Sequence, residues 1–124
     1  MKGIVREWVD KAQADANTAR RELRVIESPN WDAVCFHVQQ ALEKYLKGLL
    51  LKDAHAVSRT HDLSVLLQPL LKNHSDLEKL HDDMEWISVF AVEIRYPGEK
   101  ATKADARKAV TIMERALKAI LPLL

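Results

Sequence analysis

The chain is poor in the residues that punctuate and crosslink. It has one cysteine, three glycines and four prolines in 124 residues. A single thiol, Cys35, forms no internal disulfide and leaves a cysteine-based zinc site without ligands. So few Gly and Pro leave few positions for hairpin turns, which argues against an all-β fold. Three isolated glycines cannot build a Gly-rich phosphate loop, so no cofactor fingerprint of that kind is present. Charge of one sign is lacking too. The 19 basic and 18 acidic side chains leave a net charge of +1, so no global field draws the chain to nucleic acid, and any phosphate contact must be local. No apolar run reaches the roughly 18 residues of a membrane span. The opening Met1-Lys2-Gly3-Ile4-Val5-Arg6-Glu7 lacks the apolar stretch of a signal peptide. The cytoplasm is therefore the default expectation.

What is present is helical periodicity, with apolar residues three and four apart. A first helix is expected over Ile4–Ile26. It buries Trp8, Ala12, Ala16, Ala19, Leu23 and Ile26 and turns Lys11, Asp15, Arg21 and Glu22 outward. Ser28-Pro29-Asn30 ends it, because proline restricts the residue before it and donates no hydrogen bond. A second helix runs from Trp31 to Lys52. Val34, Cys35, Val38, Ala41, Leu42, Tyr45, Leu46 and Leu49 fill half of its wheel, an arc wide enough for several neighbours. Cys35 falls on that apolar side and reads as a buried small hydrophobe. Thr60 is placed to cap a third helix that Pro69 kinks or shortens. Ser75-Asp76-Leu77-Glu78 has capping-box spacing and opens a fourth, whose seam is Leu77, Leu80, Met84, Ile87, Ala91 and Ile94. A fifth begins near Thr102 and stops at Pro122. With 124 residues, no repeat and no linker, residues 1–124 form one domain. Short connections favour an all-α, up-and-down four-helix bundle with an additional short helix, about five helices in all.

Chemistry has few places to sit. His37, His55, His61, His74 and His81 are scattered, with no His-x-x-x-His pair and no two Glu-x-x-His motifs of the kind a bundle di-iron site combines, so no metal site is expected. The serines lie in caps or helix interiors, without the context of a nucleophile. The best local cluster is the other half of the second helix. His37, Gln40, Lys44 and Lys47 fall within about 80° of arc at the helical step of 100°. Two ammoniums, an amide and an imidazole suit a phosphate or a base. Spacing alone favours a solvated face, with Glu43 and Lys47 an exposed i,i+4 pair. Phe36, an aromatic among polar neighbours, argues for a contact surface. The Arg95-Tyr96-Pro97-Gly98 turn is the second cluster. It is either a cation and a phenol on a fixed connection, or a helix stop in which Arg95 faces the carbonyl end of the dipole. His61, beside the cap of the third helix, reads as a local hydrogen-bonding partner.

The run from Cys35 to Leu50, Cys-Phe-His-Val-Gln-Gln-Ala-Leu-Glu-Lys-Tyr-Leu-Lys-Gly-Leu-Leu, resembles the signature helix of the HEPN domain family (higher eukaryotes and prokaryotes nucleotide-binding). Thr60-His61-Asp62-Leu63 and Arg95-Tyr96-Pro97 follow in that family's order. The resemblance implies a helical bundle, usually a homodimer, without a cofactor. It implies a nucleotide or RNA ligand, and for small prokaryotic members a minimal nucleotidyltransferase partner in a toxin–antitoxin-like module. His37, Gln40, Lys44, Lys47, His61, Arg95 and Tyr96 become the nucleotide- or phosphate-binding candidates, and Phe36 and Trp86 the interface candidates. Many members are metal-independent ribonucleases that carry an Arg, four to six intervening residues and then His. This chain departs from that pattern. None of its arginines at 6, 20, 21, 24, 59, 95, 107 and 115 has a histidine in that window, and after Arg95 the window holds Lys100, Ala101 and Thr102. No catalytic residue is assigned. Three readings stand: a binding module, a ribonuclease rearranged around Arg95 with His37 or His61, and an assembly protein without a small ligand.

Overall fold

The computed structural model describes Met1 and residues 3–124. Among them there is no strand. The α-helices are α1 (Gly3–Leu23), α2 (Trp31–Lys52), α3 (Leu63–Leu67), α4 (His81–Glu93) and α5 (Lys103–Ile120), with 3-10 turns at Gln68–Lys72, Ser75–Leu80 and Leu121–Leu123.

Four helices alternate in direction and α3 is folded into the connection between α2 and α4. Three contacts show that α1 and α2 are antiparallel. A Cβ on Gly48, near the end of α2, would meet Trp8 and Val9 near the start of α1, each at 3.5 Å. Asp15 reaches His37 and Lys44 at mid-length. Glu22 accepts from the Asn30 amide at 3.0 Å at the far end. α5 runs parallel to α2: Asp32 accepts from the Ala101 amide at 2.6 Å at one end, and Lys52 donates to the Leu123 carbonyl at 2.8 Å at the other. Ala12, Ala16 and Ala19 are wholly buried. Their small side chains let α1 approach α2 closely.

α2 is therefore the central helix. Its N-terminus is set by Asn30, whose side chain accepts from the Ala33 amide at 3.0 Å. From Ala41 to Leu50 every residue except Lys44 is buried. Leu42, Leu46 and Leu49 form the core with Leu63, Leu67, Leu70, Met84 and Met113. The seam of α4 is buried along its whole length, Leu77 to Ile94.

Several boundaries differ from the sequence expectation. α1 stops at Leu23, and Ile26 is 93% exposed. The chain must turn back there to bring Asn30 under Glu22, which leaves Ile26 outside the last core layer. Asp62, not Thr60, caps α3 by accepting from the Ser64 amide at 3.0 Å; Thr60 instead accepts from the Asp62 amide. Pro69 tightens the following turn to 3-10 geometry. Ser75 makes no capping hydrogen bond, and α4 proper begins six residues later, at His81. Thr102 and Asp105 do form a reciprocal capping box at the start of α5.

Candidate functional site on the central helix

The polar residues of α2 are not a solvated face. Glu43 is 5% and Lys47 6% exposed, and Gln39 is buried beside them. The i,i+4 pair read from spacing exists, with Lys47 Nζ donating to Glu43 Oε2 at 3.1 Å, but it lies inside the protein. Buried charges are tolerated only when paired and hydrogen-bonded. Glu43 meets that condition. Its Oε1 also accepts from Gln39 Nε2 at 3.1 Å and from His61 Nδ1 at 2.9 Å. Burial alone would raise the Glu43 carboxyl. The hydrogen bonds from His61, Gln39 and Lys47, with the Lys47 charge, outweigh it and hold the group below its ordinary value.

Gln39 extends the network. Its amide also donates to the His61 carbonyl at 2.9 Å, and its oxygen accepts from Gln40 at 2.8 Å. Both the backbone and the ring of His61 are thereby tied to α2. The side chain of His61 nevertheless remains 76% exposed. A carboxylate only accepts, so Nδ1 of His61 carries the proton and Nε2 faces away from Glu43.

A second carboxylate organises the next turn. Asp15 of α1 binds His37 Nδ1 at 2.9 Å through one oxygen and Lys44 Nζ at 2.5 Å through the other. All three side chains are largely buried. The sequence places Asp15 on the outward side of α1. In the structure it sits at the edge of the buried alanine stripe, seven residues after Trp8. That offset of two helical turns is the signal the sequence offers. Trp8 in turn lies over Lys47, with the ammonium 5.7 Å from the ring centroid.

Of the candidate residues, the structure brings His37, Gln40, Lys44, Lys47 and His61 onto the two carboxylate clusters of α2. Arg95 stands beside them at the end of α4, with its guanidinium 5.8 Å from the Phe36 ring centroid. Phe36 meets His37 edge-on at 5.2 Å. Tyr96 is exposed and joins no part of this arrangement. The two amides at 95 and 96 bond back to Val92 and Glu93, so this turn is also a helix stop. Trp86 lies elsewhere, on the α4–α5 side, stacked on Phe90 at 5.0 Å with Lys108 4.0 Å above its ring. Among the described residues, no three His, Cys, Asp or Glu side chains converge as metal ligands. Among them, too, no helix is long and apolar enough to cross a membrane.

An up-and-down bundle wrapped around a polar-threaded central helix defines the class: an all-α helical-bundle domain. The HEPN domain family matches residues 5–122, and the chain belongs to that family. The fold is shared with TT1696 from Thermus thermophilus, at a TM-score of 0.76 and 23% identity, covering 97% of this chain and 98% of that one. It is shared equally with ST0689, an archaeal HEPN homologue, at a TM-score of 0.75 and 23% identity, covering 98% of both chains. No curated protein matches the chain.

Proposed function

We propose that the chain is a nucleotide- or nucleic-acid-binding module that acts as a homodimer beside a minimal nucleotidyltransferase, in a toxin–antitoxin-like pair. The observation that carries the ligand half is the bracing of α2. Asp15 and Glu43 fix the Nδ1 edges of His37 and His61. Each imidazole is left with its Nε2 edge, which donates to a phosphate oxygen when the ring is an imidazolium, and Gln40 and Lys44 accompany them on the polar side of α2. A phosphate competes with Asp15 for Lys44 and gains a charge-assisted bond from a ring in its imidazolium form. The homodimer half rests on exposed apolar side chains of two helices: Phe36 on α2, and Val89 and Val92 on α4.

Calorimetric titration with nucleoside triphosphates tests the ligand half, with the chain alone and with its partner. Saturable binding that weakens in His37→Ala and Lys44→Ala is the expected result. No heat at millimolar nucleotide under both conditions removes it. Co-purification with the product of an adjacent nucleotidyltransferase reading frame tests the partner half.

The same geometry favours a second reading, a ribonuclease without the usual arginine-to-histidine spacing. Two imidazoles, each held by a carboxylate, are the parts of general acid–base catalysis. One takes the proton of a ribose 2′-hydroxyl as its oxygen attacks phosphorus. The other gives a proton to the departing 5′-oxygen, and Arg95 faces the phosphate. RNA cleavage that persists in a His37→Ala, His61→Ala, Arg95→Ala variant rules this reading out.

A further inference from the structure

The outward face of α5 is used by neither reading. α5 covers the side of α2 that carries Cys35 and Tyr45, whose surroundings include Asp105 and Glu114 of α5. Its apolar face, including Ala106, Ala109, Ile112, Met113, Leu117 and Ile120, is buried in the core. The opposite face carries Lys103, Arg107, Lys108, Arg115 and Lys118, all exposed.

Five cations stand against two acids on this helix, in a chain whose overall balance is 19 to 18. Both acids are engaged. Asp105 is tied into the capping box and Glu114 binds Arg20 of α1 at 2.6 Å. Toward the end of α5 the face opens into a cavity of about 480 Å³, lined in part by Lys79, Arg115 and Lys118. Asp83 of α4 lines it too and holds Arg115 at 3.2 Å. Beside the first half of α5 lies the Trp86–Phe90 stack, with Lys108 above the indole.

We propose that this face of α5 is a track for the phosphodiester backbone of single-stranded nucleic acid, with Trp86 at its edge to receive a base. A membrane surface does not suit it. A helix that lies on lipid needs large apolar side chains to insert, and none between Lys103 and Ile120 is exposed. From Lys103 to Lys118 the cations extend over roughly 22 Å at the helical rise, which matches about six stacked nucleotides of one strand. A phosphate that draws Lys108 away uncovers the indole face, and base stacking on an aromatic beside a basic groove is how single strands are held without sequence preference. The track shares its class of ligand with the binding module and nothing else, because the two sites lie on different helices.

Fluorescence anisotropy of a labelled oligothymidylate against the full chain tests it. The Arg107→Glu, Lys118→Glu variant is compared with Lys11→Glu, Arg59→Glu, which changes net charge equally on exposed positions of α1 and of the connection between α2 and α3. We expect saturable binding that weakens steeply between about 50 and 200 mM salt. The α5 variant should lose about tenfold or more in affinity and the control pair about threefold or less, with Trp86 fluorescence quenched on binding. Equal loss in the two variants overturns the track, since net charge alone then explains the binding. Absence of binding at low salt, tighter binding of a duplex, or capture by phosphatidylserine vesicles in place of the oligonucleotide also overturns it. Nucleoside triphosphate titration of the α5 variant separates the sites. Unchanged nucleotide affinity with lost oligonucleotide affinity is the expected pattern, and loss of nucleotide binding in His37→Ala leaves the track standing.

Discussion

His61 Nδ1 lies 2.9 Å from Glu43 Oε1, so an exposed imidazole ahead of α3 is held by a carboxylate buried in the middle of α2. With the Gln39 amide on the His61 carbonyl, this bond joins the connection after α2 to the core. It also makes Glu43 answer to pH. The hydrogen bonds to Glu43 lower its carboxyl in the folded protein below the ordinary 4.5. A depressed carboxylate stabilises the fold above its unfolded value and loses that contribution as pH falls through the folded one.

Urea unfolding of the wild type should therefore lose stability as pH drops below about 4.5. Glu43→Gln should start lower at neutral pH, because Lys47 is left buried without its charge partner, and should show a flatter decline in acid. Parallel acid limbs for the two proteins would falsify the assignment of this titration to Glu43.

Lys47 gives the reciprocal experiment. Lys47→Ala strands the Glu43 charge and opens space beside Trp8. Removing one partner of a buried pair costs about 3–5 kcal/mol. Glu43→Gln, Lys47→Met should recover much of that loss, since a neutral amide and a thioether of similar length need no counter-charge. Urea unfolding of Glu43→Gln, of Lys47→Met and of the double variant measures the coupling, and strict additivity would mean the two side chains do not act as a pair.

How much of this can be read from the sequence depends on how many neighbours a helix has. The seam of α4 and the core half of α2 follow from periodicity, because each faces one continuous apolar layer. The polar half of α2 is misplaced by periodicity for a physical reason. A helix surrounded by α1, α3, α4 and α5 must bury polar residues too, and period 3.6 reports polarity without reporting what covers it. Glu43 and Lys47 read as a surface pair because their spacing is the same whether wet or dry. Asp15 is 22 residues from His37 and 29 from Lys44, so no local pattern links them. The shift of the α3 cap from Thr60 to Asp62, and the 3-10 start of α4, reflect backbone turns that several polar side chains could serve equally.

Cys35 is buried, and burial, with the nearby Asp105 and Asp32 carboxylates, pushes its thiol up to about 12. The thiolate is the reactive form. Native protein at neutral pH should resist iodoacetamide over hours, and the same reagent should alkylate it fully in urea. Rapid labelling of native protein, read by mass spectrometry, would show that α2 and α5 separate readily at that point.

Gly48 tests how closely α1 and α2 must approach. A Cβ built there lies 3.5 Å from both Trp8 Cβ and Val9 Cγ2, which is ordinary contact, and Gly48 has no positive φ to protect. Gly48→Ala should therefore be tolerated. Helix propensity favours alanine by about 1 kcal/mol in a helix interior, so the variant should be as stable as the wild type or more so. A larger side chain changes the sign. Gly48→Leu must push Trp8 and Val9 outward, and overpacking of this kind costs about 1–3 kcal/mol. The displacement would also move Trp8 relative to the Lys47 ammonium, so tryptophan emission should shift in the leucine variant and not in the alanine one. A destabilised Gly48→Ala would mean that the two helices lie closer than ordinary contact.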